Sequence, residues 1–117
     1  MFGARNPQAQ GGGNFQGARQ TADADNVFAG AGSAVVAPAL PGTAVGRPLW
    51  MMVVGSVTGK ASIQIGNLAV LTAASTPNAP PVVVPFPANA FPNAVNSVSV
   101  TLTADGAGTL RVIVGFL

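Results

Sequence analysis

Proline punctuates this chain too often for helices to run through it. Pro38, Pro41 and Pro48 fall in one stretch, Pro77, Pro80 and Pro81 in a second, and Pro85, Pro87 and Pro92 in a third. Each ring removes a backbone donor and clashes with the carbonyl one turn back, so a helix stops at or before it. No segment of ten or more residues shows a 3.6-residue apolar period with caps, so almost no helix is expected. What remains is a series of short strands joined by Gly, Pro and Asn turns.

The strands can be placed from their periodicity. Ser33-Ala-Val-Val-Ala37 is a candidate, and Leu49 to Val57 is apolar on both parities, as in a strand covered on both faces. Ala61 to Ile65 and Leu68 to Thr72 flank Gly66-Asn67, which predicts a two-residue hairpin with Ile65 opposite Leu68 and Ile63 opposite Val70. Val82-Val-Val84, hemmed in by proline, is restricted to an edge or a covered loop. Val98, Val100 and Leu102 alternate with Ser97, Ser99, Thr101 and Thr103. After Asp105-Gly-Ala-Gly108 the chain continues with Leu110, Val112, Val114 and Phe116 on one side and Arg111 and Ile113 on the other. That pair reads as a second hairpin. The expected fold is all-β: a small antiparallel sandwich or barrel, jelly-roll-like, over residues 33–117.

Residues 1–32 offer few bulky apolar groups and much Gly, Gln and Asn, including the near-repeat Phe2-Gly-Ala-Arg5 and Phe15-Gln-Gly-Ala-Arg19. They are expected to form an extended N-terminal arm that orders on a neighbour, with Phe2, Phe15 and Phe28 as anchors and the glycines permitting close backbone approach.

Composition excludes several classes of function. The chain has no Cys, His, Glu or Tyr, so disulfides, thiolate metal sites and most general acid-base pairs have no raw material. No cofactor or metal is expected. Asp23-Ala-Asp25-Asn26 begins like a calcium loop but lacks the later Gly and the bidentate Glu, and reads as cap or turn sequence. Gly11-Gly12-Gly13 and Gly55-Ser-Val-Thr-Gly-Lys60 lack the spacing of a phosphate loop. Ser56 and Lys60 form the one conceivable nucleophile-base dyad, and Thr58 to Ala61 is more simply a turn with a solvated lysine. The chain is therefore expected not to be an enzyme and to have no small-molecule substrate.

The basic groups, Arg5, Arg19, Arg47, Lys60 and Arg111, are scattered and leave a net charge of only +2, which argues against nucleic-acid binding. No run approaches the roughly 20 apolar residues of a spanning helix, and no apolar stretch follows Arg5 as in a secretory signal, so synthesis and assembly inside a cell are expected. Only 7% of residues are charged and 49% are hydrophobic, against about 25% charged in ordinary soluble domains. Such a surface has to be covered in its working state.

A Gly/Gln/Asn-rich arm ahead of a Val/Thr/Ala/Pro β domain without catalytic side chains resembles the small structural proteins of phage and virus capsids. The resemblance is strongest to cement or decoration proteins. It implies a homo-oligomer contacting a major capsid protein, residence in the virion, and synthesis in the host cytoplasm. The alternative is a receptor- or glycan-binding β module of a spike or fibre, using Trp50 and the loop amides of Asn78, Asn89 and Asn93.

Overall fold

The computed structural model describes residues 17–65, 69–87 and 90–117, with 69–71 described by their backbone. Eight strands follow in order: β1 (Gln20–Phe28), β2 (Gly32–Val36), β3 (Pro48–Gly55), β4 (Gly59–Ile65), β5 (Ala69–Ser75), β6 (Val84–Pro85), β7 (Val100–Ala104) and β8 (Gly108–Phe116). They form two four-stranded antiparallel sheets, β1-β8-β3-β6 and β2-β7-β4-β5. The pairs β1·β8, β2·β7, β3·β6 and β4·β5 are nested, so the chain behaves as one long hairpin wrapped into a sandwich. This is jelly-roll connectivity, and the all-β expectation holds.

Alternation explains the core. Ala61, Ile63, Ile65, Val98, Val100, Leu102 and Ala104 from one sheet face Met51, Val53, Leu110, Val112, Val114 and Phe116 from the other, all buried. The serine and threonine residues between them point outward. The β1–β2, β3–β4 and β7–β8 crossings are short, and the β3–β4 crossing turns on two glycines. A Cβ on Gly55 or on Gly59 would meet a methyl of Leu110 and a backbone carbonyl, so the missing side chains are what let Leu110 fill the space between the strands.

Several expectations need correction. β7 and β8 are not a hairpin: they lie in different sheets and face each other across the core. Their inward residues are those expected, because alternation reports which face is buried and not which strand sits alongside. β4 and β5 do form a hairpin, but Ile65 pairs with Ala69 and Ile63 with Leu71. Three residues, 66–68, therefore separate the paired ends, and Val70 comes opposite Gln64 instead of Ile63. Strand β6 is shorter than the valine run suggested, and it lies at a sheet edge, as its prolines require.

The sandwich also begins earlier than residue 33. Gln20–Phe28, read from sequence as arm, pairs along its whole length with β8. Its inward positions are Ala22, Ala24, Asn26 and Phe28, so three of the four contribute little apolar contrast and the period of two is faint.

The long β2–β3 connection is held by a single amide. Asn96 Nδ2 lies 3.1 Å from the carbonyl of Leu40, 2.7 Å from that of Ala44 and 3.3 Å from that of Gly42. Backbone bonds from Leu40 N–H to Asn96 O and between Gly46 and Val95 complete the attachment.

Two predictions follow from this packing. Leu110→Ala should cost about 2–5 kcal/mol, since the glycines beside it cannot fill the cavity. Asn96→Ala should cost about 1–3 kcal/mol by leaving carbonyls without a donor. Urea unfolding of the two variants against the parent checks both.

Candidate functional site

The residues singled out from sequence do not converge. Phe2 and Phe15 lie outside the described residues, as do Gly11-Gly12-Gly13 and Asn89. Phe28 is 8% exposed and belongs to the chain's own core, so in this structure it anchors β1 at home and presents nothing to a neighbour. Asn78 and Asn93 are exposed in separate connections.

Trp50 sits on the outer face of the first sheet, directly opposite Gly115 of β8. A Cβ on Gly115 would overlap the indole, so the ring lies against the glycine, and Trp50 is only 1% exposed. The apolar run on both parities of β3 is thereby explained: Met51 and Val53 enter the core, while Trp50 is covered on the opposite side. A tryptophan this enclosed offers no stacking platform to a sugar ring.

Asp23 and Asp25 occupy alternate positions on the outer face of β1, not a turn, and so form no calcium loop. Arg111, opposite Asp25 in register, reaches Asp23 through Nε at 3.6 Å and Asp25 through Nη2 at 3.8 Å. The three side chains are half exposed, so these ion pairs contribute little stability. What they do is place the only acidic residues of any described strand on one sheet edge. Among the described residues no group of three metal-ligating side chains comes together.

Ser56 and Lys60 are not joined. The Thr109 N–H donates to Ser56 Oγ at 3.0 Å, across the β3–β4 crossing. Lys60 is exposed on the outer face of β4, beside Thr103 and Ala74 in register.

Two features escaped sequence reading because they depend on pairing. One is a groove of about 370 Å³ where β7 diverges from β4, rimmed by Ser62, Gln64, Ser97, Ser99 and Thr101 with Ile63, Phe91, Val95 and Val98 behind them. It contains no titratable group. It can accept hydrogen bonds and apolar contact but offers no means to move a proton. The other is the distribution of charge. No charged residue occurs between Lys60 and Asp105, and the topology gathers most of that interval, including β5 and β6, onto one side of the sandwich.

That side is bordered by the outer face of the second sheet, where hydroxyls line up across strands. Ser33 Oγ lies 3.0 Å from Thr103 Oγ1 and Ser62 Oγ 3.5 Å from Thr72 Oγ1. Exposed Val82, 62% accessible, and exposed Pro77, Pro80 and Pro81 continue the uncharged surface beyond β5.

Taken together, fold and surface define a class: a jelly-roll β-sandwich whose distinguishing surface, among the described residues, is an uncharged flank. Among the described residues no helix is long and apolar enough to cross a membrane. The chain matches no protein-family model, no curated protein and no solved structure.

The Trp50 geometry is testable. Gly115→Ala should lift the indole, shifting its emission to longer wavelength and raising its quenching by acrylamide, with a stability loss of about 1–3 kcal/mol. Unchanged emission in a folded variant would mean that the ring does not rest on Gly115.

Proposed function

We propose that this chain is a non-catalytic structural protein of a virion, a cement, decoration or minor capsid protein that works as a homo-oligomer on a shell built by a major capsid protein. The observation that carries the reading is the uncharged flank. Soluble monomers commonly blunt their sheet edges with charge, and the strands on this side of the sandwich carry none.

Jelly rolls are used by viral capsid proteins, lectins and cupins, and connectivity alone does not choose among them. The side chains do. A cupin-type metal centre needs histidines, and the chain has none. A glycan site needs accessible aromatic rings, and Trp50 is enclosed. Coverage by copies of the chain and by a shell protein is the use that suits a surface rich in Ala, Val, Ser, Thr and Pro. The segment ahead of β1, with Phe2 and Phe15, supplies the arm that would reach a neighbouring subunit.

Two measurements test this. Mass spectrometry of gradient-purified particles should find the chain in fixed ratio to the main shell protein; recovery only from the soluble fraction would overturn the virion assignment. Native mass spectrometry of the purified full-length chain should show oligomers. A strictly monomeric chain at its solubility limit, or one that binds a glycan array with loss on Trp50→Ala, would replace the assembly reading with the receptor-binding one.

A further inference from the structure

The sandwich has four sheet edges, and three of them are protected. β1 carries Asp23 and Asp25. β6 is two residues long and includes Pro85, with Pro81 and Pro87 close by. β2 has five residues and is followed, after Ala37, by Pro38. β5 is different. It has seven residues, Ala-Val-Leu-Thr-Ala-Ala-Ser, without charge, proline or glycine, and among the described residues it pairs with β4 on one side only.

From this contrast we infer that the free edge of β5 is where a second copy of this chain binds, β5 against β5 in antiparallel pairing about a twofold axis, joining two four-stranded sheets into one of eight. The inference deepens the assembly reading above and rests on it.

The occupant follows from the edge itself. A strand paired antiparallel with its own copy is self-complementary: each main-chain donor on one edge meets the equivalent acceptor on the other, and a twofold axis closes the contact without leaving a further edge exposed. An edge free of charge pairs without burying an ion. Thr72 and Ala74 are exposed and small, so neither stands in the way of an approaching strand.

The one nearby charge is Lys60, opposite Ala74 and one strand in from the edge. If the axis passes near Thr72, the two lysines lie roughly 20 Å apart on strand spacings of about 4.8 Å and rises of about 3.4 Å. That is well beyond the Debye length of about 8 Å in physiological salt. Repulsion between them does not oppose the pairing. Beyond Ser75 the exposed prolines and Val82 extend the uncharged surface past the end of the strand.

The test is sedimentation velocity on the full-length chain and two single variants, Thr72→Lys on the β5 edge and Val35→Lys on the β2 edge. Both sites are exposed in the single chain, so both variants should keep the β circular-dichroism spectrum and the Trp50 emission of the parent. The expected result is an oligomer for the parent and for Val35→Lys, and at least a tenfold weaker association for Thr72→Lys. An oligomer unaffected by Thr72→Lys, or one weakened more by Val35→Lys, overturns the β5 interface while leaving the assembly reading in place. A parent that is monomeric throughout overturns both.

Should Thr72→Lys fail to fold, hydrogen exchange of the parent decides the matter. Alternate amides of Thr72 to Ser75 should exchange more slowly at concentrations where the chain is assembled than at dilution. Exchange independent of concentration overturns the interface.

Discussion

The apposition of β7 and β8 across the core is the constraint on which the rest of the structure depends. The two strands follow each other directly, yet each is an inner strand of a different sheet: β7 is flanked by β2 and β4, β8 by β1 and β3. Their inward side chains, Val100, Leu102 and Ala104 against Leu110, Val112, Val114 and Phe116, are at most 2% exposed. The earlier strands therefore complete a framework whose two central members come last in sequence. Such a fold is rich in contacts between distant parts of the chain, so its ordering entropy is offset only when the C-terminal strands have arrived.

Small residues set how closely this framework can close. Gly55 and Gly59 leave room for Leu110 at the point where the chain changes sheets, and Gly115 leaves room for Trp50 on the outer face. The two arrangements act in opposite directions. One deepens the interior, while the other turns part of an exterior face into a second apolar layer, so that the first sheet is covered on both sides near β3. The charged residues of that face are displaced toward β1, where Asp23, Asp25 and Arg111 neutralise most of one another.

How much of this was legible in the sequence depended on the kind of information involved. Side-chain parity was legible: the inward residues of the last two strands and the edge position of β6 follow from alternation and proline alone. Pairing was not, because Val100 and Leu102 alternate in the same way whether the next strand lies beside them or opposite them. The β4–β5 register was off by one residue, since Gly66-Asn67 suggests a two-residue loop and a slip of one changes every partner. β1 was hidden because Ala22 and Ala24 give its inner face little contrast with Thr21 and Asp23. Among the site residues, Phe28 was expected to anchor an arm on a neighbour and Trp50 was considered for a glycan site, whereas both are buried within the chain, a fact that only the burial of each side chain reveals.

The scarcity of charge carries more information once it has a location. Spread evenly, five basic and three acidic groups on 117 residues would describe a poorly soluble domain and nothing more. Among the described residues they lie on β1, β4, β8 and the connecting segments, so β5 and β6 carry no ionic group of their own, and that flank contains the longest edge free of charge and proline. A monomer gains nothing from such an arrangement, because a lysine or glutamate at Thr72 would cost little in folding energy and would blunt the edge. On the assembly reading proposed above, that absence fits a flank buried in the working state. On that reading the flank differs from a ligand cleft: the groove beside Phe91 is lined by hydroxyls, an amide and apolar side chains, whereas β5 offers backbone hydrogen bonding along an edge without charge, which another strand satisfies.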